Sequence, residues 1–225
     1  MLRSQLLEQL ADRLIAIRQP HPLRVAIDGI DAAGKTFLAD ELSQTLQARE
    51  RPALRASVDG FHHPQEIRHQ RGAISPEGYY YDSFDYNALK RLILEPLGPA
   101  GNRQYQTAMF SFRSDASILS SVRLADAESI LLFDGVFLLR PELVSYWDFK
   151  IFVDITFEVS IERASRRDQM LFGPPEAVKE RYQQRYVPGQ QLYMQSCRPK
   201  EQADIVVHNN DPTNPTMTIQ VKNSA

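Results

Sequence analysis

The chain has 225 residues, with 26 lysines and arginines against 28 aspartates and glutamates for a net charge of −2. That balance supplies no basic surplus for non-specific nucleic-acid binding, and the single cysteine, Cys197, excludes an internal disulfide. A chain of this length buries roughly 70% of its unfolded surface, so its core needs neither a disulfide nor a structural metal.

Within residues 1–20, Leu6, Leu10, Leu14 and Ile17 recur at helical spacing, while Glu8, Asp12 and Arg13 interrupt anything resembling a signal peptide. The longest apolar run, Ile130 to Leu139, contains Asp134 and is too short to span a bilayer. A cytoplasmic location with no membrane partner is the expectation.

Leu23 to Ile27 reads as a strand, and a helix through Leu38, Leu42 and Leu46 ends at Arg51-Pro52. Ala53 to Val58 is a second strand, followed by a polar segment, 60–83, rich in turn residues and long enough to be functional. Phe84 to Leu94 has a helical pattern closed by Pro96 and Gly98, and Gln104 to Phe112 suits a strand or hairpin. Ser129 to Phe133 and Phe149 to Ile155 are apolar strands. Glu158 to Met170 and about Glu176 to Tyr186 are helices separated by Gly173-Pro174-Pro175, Ile205 to His208 is the last expected strand, and the tail, 209–225, reads as loosely ordered. Alternating strands and helices imply an α/β fold with a parallel sheet covered on both faces and ligands at the carboxyl ends of its strands.

Between the first strand and its helix stands Gly29-Ile30-Asp31-Ala32-Ala33-Gly34-Lys35-Thr36, a complete Walker A phosphate loop followed by Phe37. Its backbone N–H groups at a helix N-terminus suit the phosphates of a nucleotide. Lys35 reaches the β- and γ-phosphates, and the Thr36 hydroxyl is a hard ligand for Mg²⁺. Asp59 and Asp134 each follow a strand directly, so both emerge at the sheet edge beside this loop. Phosphoryl transfer from ATP to an alcohol asks for one acid on Mg²⁺ and a second to take the acceptor's proton; Asp134 suits the first role and Asp59 the second. Arg163, Arg166 and Arg167, at i, i+3 and i+4, share a helix face and read as a lid (162–190) closing over the transferred group. Arg181 and Arg185 repeat the spacing. His62, His63 and His69 lack the pattern of a zinc site, and Tyr79, Tyr80, Tyr81, Phe84 and Tyr86 serve equally as base-stacking or core residues.

This order of features resembles the uridine kinase family of phosphate-loop kinases, a group that also takes in pantothenate kinase and phosphoribulokinase. The resemblance spans about Leu23 to Asn210 and rests on Gly29–Thr36, Val58-Asp59-Gly60-Phe61, Leu132-Phe133-Asp134-Gly135-Val136, Phe152-Val153-Asp154 with Arg163 to Asp168, and Ala203-Asp204-Ile205-Val206. It implies a phosphate-loop NTPase fold with a mostly parallel five-stranded sheet and a helical lid, in one kinase domain over 1–225, and Mg²⁺-dependent phosphorylation of a small-molecule alcohol such as a nucleoside. Pantothenate- or sugar-like acceptors, a regulatory switch with weak ATPase activity, and assembly into a homo-oligomer stay open. Three departures are visible: Asp134 where the family has glutamate, Asp-Gly-Phe-His after the second strand, and no base-reading tyrosine and histidine near Phe110–Arg113.

Overall fold

The computed structural model describes residues 1–220; the last five residues of the expected loose tail lie outside them. A six-stranded sheet runs β6-β5-β4-β1-β3-β2. Its strands are β1 (Leu23–Gly29), β2 (Ala53–Ser57), β3 (Ile130–Gly135), β4 (Phe149–Asp154), β5 (Ile205–His208) and β6 (Thr216–Ile219). The first five are parallel, as the alternation of strands and helices predicts, and β6 is antiparallel to β5. The expectation of a loose tail is therefore corrected for this stretch. Met217 and Ile219 alternate with Thr216 and Thr218, and their backbone covers the free edge of β5, with Thr216 opposite His208 and Ile219 opposite Ile205.

Period-two geometry sends alternate residues of β1 to opposite faces and builds two cores. Val25 and Ile27 pack with Leu132 and Ile151 against α1 (Arg3–Ala16) and α2 (Lys35–Ala48), which contribute Leu6, Leu10, Leu14, Leu38, Leu42 and Leu46. On the other face Ala26 joins Phe133, Phe152 and Phe137, together with Tyr79, Tyr80 and Phe84. Those aromatics are thus core residues, linked by edge contacts such as Tyr79–Phe137 at 5.0 Å and Tyr80–Phe137 at 5.2 Å. The tyrosines come from α3 (Pro76–Asp82), a helix inside the 60–83 segment that begins at Pro76 and is capped by the Ser75 hydroxyl, which accepts from Gly78 N at 3.0 Å. The expected helix from Phe84 to Leu94 is one α-turn, Tyr86–Leu89, followed by a wide π-turn over Lys90–Leu94. Of the stretch from Gln104 to Phe112, Gln104–Tyr105 and Phe110–Ser111 are short strands, and each pairs antiparallel with residues beyond that stretch, Arg123–Leu124 and Ala116–Ser117.

Beyond β4, α4 (Phe157–Arg167) starts at Thr156, whose hydroxyl caps Val159 N. α5 (Pro175–Arg181) continues through a π-turn, Tyr182–Tyr186, into α6 (Val187–Cys197). The sequence expectation stopped this helix at Tyr186. Pro188 has no N–H to donate back into the preceding turn, and the π-turn just before it, with Val187 N donating to Tyr182 O, accommodates that break in the ladder, so the chain carries on. Among the described residues no helix is long and apolar enough to cross a membrane.

Candidate active site

The phosphate loop closes over the carboxyl end of β1. Gly29 has φ +152°, and a Cβ there would stand 2.4 Å from the Val153 carbonyl oxygen of the neighbouring strand, so only glycine fits. Ala32 adopts the left-handed region, φ +57°, and Gly34 caps α2 at φ +93°. Lys35 folds back into the loop, its Nζ donating to Ile30 O at 2.7 Å. Its side chain is buried, and no described carboxylate lies within ion-pair distance. Burial pushes the ammonium below its ordinary pKa despite the pull of Asp31, Asp28, Asp134 and Asp59. A buried cation of this kind calls for an anionic ligand, and phosphate oxygens meet that need.

Asp134 and Asp59 reach the same edge because β2 and β3 are neighbours, with Ser57 opposite Asp134. Asp134 is buried and takes a hydrogen bond from Thr36 Oγ1 at 2.7 Å and from Arg55 Nη2 at 2.9 Å. Thr36 and Asp134 thus hold two hard oxygens side by side, a donor set suited to Mg²⁺ completed by waters and phosphates. Arg55, not anticipated from the sequence, also donates to Leu132 O at 2.7 Å and fixes the orientation of the carboxylate. An arginine in the middle of a short strand was its one sequence signal.

Asp59 lies in the short turn after β2, its backbone N–H donating to Ser57 Oγ. Asp59 is an exposed residue, yet the protein packed around its carboxylate desolvates it, and with the charges of Asp134 and Asp31 pushes its pKa up to about 6, against the pull of Lys35 and Arg167. That value suits a group that takes a proton near neutrality. His62 beside it is wedged between Phe84 at 4.5 Å and Phe112 at 5.0 Å, and burial holds it down to about 4, a neutral imidazole.

Sequence spacing gave no sign of a set of buried ties that hold the loop to distant helices. Asp28 accepts from Gly29 N at 2.7 Å and from Tyr193 OH of α6, and burial pushes it up to about 6. Asp31 accepts from Tyr79 OH at 2.8 Å and from Gln190 Nε2 at 2.5 Å, and its carbonyl accepts from Ser160 Oγ at 2.7 Å. Asn209 Nδ2 donates to Ala33 O at 2.7 Å.

The three lid arginines part company. Arg163 donates to Ala32 O at 3.3 Å and to the carbonyls of Asn209 and Asn210 at 2.7 and 3.0 Å, so it braces the phosphate loop from behind. Arg166 is 77% exposed at its side chain and pairs with Glu162 at 2.6 Å. Neither faces the carboxylates, which corrects the shared-face expectation: a helix face is wide enough for residues three apart to diverge around its rim. Arg167 grips Asp168 with Nε at 2.6 Å and Nη2 at 3.0 Å, and its charge is felt at both Asp59 and Asp31. Phe37 stands 75% exposed on the first turn of α2, beside the loop.

The match to known proteins follows this geometry. The model of the Phosphoribulokinase / Uridine kinase family matches residues 25–216. Uridine-cytidine kinase B of Dictyostelium discoideum is 23% identical over 189 residues, covering 83% of this chain and 74% of that protein. Pantothenate kinase of Corynebacterium diphtheriae is 26% identical over 189 residues, covering 79% of this chain and 60% of that protein. A solved structure of a possible uridine kinase from Bacillus stearothermophilus superposes with a TM-score of 0.70 at 23% identity, over 89% of this chain and 96% of its own, which speaks to the fold. With the family's model matched over residues 25–216, the chain belongs to the phosphoribulokinase and uridine kinase family of kinases.

Proposed function

We propose that the protein transfers the γ-phosphoryl group of ATP to the hydroxyl of a small molecule, in the cytoplasm and as one catalytic unit in which 60–83 serves the acceptor and 162–190 the lid. The observation that carries this reading is the convergence of Lys35, Asp134 and Asp59 at one sheet edge, with two carboxylates in different environments. Asp134, its orientation fixed by Thr36 and Arg55, suits the metal. Asp59, raised to about 6, suits the proton.

Bound Mg²⁺ supplies neutralisation of the β- and γ-phosphate charge. The protein's own part is to seat the phosphates on the loop N–H groups and Lys35, to orient the acceptor hydroxyl, and to receive its proton on Asp59 as the acceptor oxygen bonds to phosphorus and ADP leaves. Arg167, near both Asp59 and Asp31, stabilises the charge that spreads over the transferred group.

The nucleoside expectation draws on the uridine-cytidine kinase likeness and the pantothenate-like alternative on the second relative. Release of ADP, measured with purified protein, ATP and Mg²⁺ against nucleosides, pantothenate and sugars, tests the reading. Acceptor-dependent ADP release that disappears in Lys35→Ala is expected. Release that ignores every acceptor, or persists in that variant, refutes it.

A further inference from the structure

Three arginines of the described chain are buried: Arg24 at 5% exposure, Arg140 at 6% and Arg185 at 4%. Arg24 is clamped by Asp148 at 2.9 Å, and Arg140 is paired with Glu142 at 2.7 Å. Arg185 has no such partner. No described carboxylate lies within ion-pair distance, and its one hydrogen bond, from Nη1, goes to the Ala73 carbonyl. Its Nε and Nη2 bond no described residue and are not fully shut away from solvent, which leaves them open to a ligand. Burial pushes its pKa down, helped by the charges of Arg181 and Arg68 and opposed by Tyr186 and Tyr79.

The position of this uncompensated cation is informative. It lies over the rings of Tyr79 and Tyr186, each 5.9 Å from its centre. Tyr79 OH in turn touches Asp31 of the phosphate loop at 2.8 Å. Arg185 therefore stands one tyrosine ring away from the phosphate loop, between the 60–83 segment that begins beside Asp59 and the helices of the lid region. Arg68, which donates to His63 O at 2.7 Å and pairs with Asp115 at 2.8 Å, reinforces the same wall.

A buried guanidinium without a counter-ion is costly unless a ligand supplies one, and its planar fork matches carboxylate and phosphate oxygens. We propose that the phosphate acceptor carries an anionic group, a carboxylate or a phosphate, and that Arg185 binds it while the acceptor hydroxyl faces Asp59. This rests on the kinase reading, and it sets a neutral nucleoside aside as the preferred substrate.

Two measurements separate this inference from that reading. In the first, ADP release is compared for paired acceptors that differ in the anion: D-glycerate and glycerol, pantothenate and its alcohol, ribose 5-phosphate and ribose. The anionic member of at least one pair is expected to show kcat/KM about 100-fold or more above its neutral counterpart, the range of two charge-assisted hydrogen bonds. Neutral members that react as well or better overturn the inference and leave the kinase reading standing.

In the second, inorganic phosphate and acetate are titrated by calorimetry into protein saturated with Mg²⁺ and a non-hydrolysable ATP analogue, which fills the phosphate loop. Saturable binding is expected, weakened about tenfold or more in Arg185→Gln and only partly restored in Arg185→Lys, which keeps the charge and loses the fork. Binding without any transfer upholds the anion site and overturns the kinase reading. Absence of saturable binding in the wild-type protein overturns the anion site, as does equal affinity in the folded Arg185→Gln variant. Should that variant not fold, the paired acceptors decide.

Discussion

Replacing Asp59 with asparagine preserves the size of the side chain and removes its ability to take a proton. The carboxylate titrates at about 6, so in the wild-type protein the ionised fraction is about 0.9 at pH 7 and about 0.1 at pH 5, and the rate limited by that base falls roughly tenfold across the interval. The sign follows from the role: the base acts deprotonated, so activity rises with pH through about 6 and levels off above it. Asp59→Asn is expected to lose about 10² to 10⁴ in kcat, the usual contribution of a positioned base, and to flatten this rise. The assay is ADP release at saturating ATP and acceptor between pH 5 and 8. Affinity for ATP, measured in parallel, removes any effect of protonating the nucleotide. A variant that keeps wild-type kcat but binds ATP weakly refutes the reasoning and moves Asp59 to nucleotide or metal binding.

Arg167→Ala is expected to lower kcat about tenfold or more while the ATP dissociation constant shifts less than about threefold, because its charge acts chiefly in the transition state; unaltered turnover would assign it to the Asp168 clamp alone. Asp28 has a folded pKa of about 6, above its unfolded value of 3.8, so its contribution to stability is full below pH 3.8 and is lost as pH rises through about 6. Across that window the wild-type protein should lose up to about 3 kcal/mol relative to Asp28→Asn, and parallel denaturation curves for the two would exclude it. Gly29→Ala drives a Cβ against the Val153 carbonyl, and a loss of about 1 to 3 kcal/mol is expected in urea denaturation; unchanged stability would mean that β4 yields there.

The strands and the phosphate loop were legible because their signals are local. An apolar run ending in Gly-x4-Gly-Lys-Thr fixes strand, turn and helix at once, and an aspartate directly after a strand lands at the sheet edge whatever the strand order. What surrounds them was not. Tyr193 is 165 residues from Asp28 and Gln190 is 159 from Asp31, and no periodicity relates them. Arg163, Arg166 and Arg167 obeyed the helical spacing, but spacing says nothing about which part of that face meets the loop. Strand β6 escaped because Asp211 to Pro215 reads as a tail, and its pairing depends on a bare edge that only the assembled sheet presents. Arg185 could be seen as one arginine among several; that it is buried without a counter-ion is a property of the fold.

The continuity of α5 and α6 gives one rod two mechanical regimes. Below the π-turn at Tyr182–Tyr186, Gln190 and Tyr193 bolt the rod to the phosphate loop. Above it, α5 leans on α4 through a small cluster of Ala164, Val178 and Tyr182, and Gly173, at φ +95°, ends the helical turn before it. Any bending of the rod is expected at the π-turn, where the hydrogen-bond ladder is already loosened. Substitutions above this joint should alter how often the cleft shuts, and substitutions below it how well the cradle is shaped before anything binds. Arg185 sits within the π-turn itself, so occupation of its guanidinium by a substrate's charge is expected to stiffen the rod there.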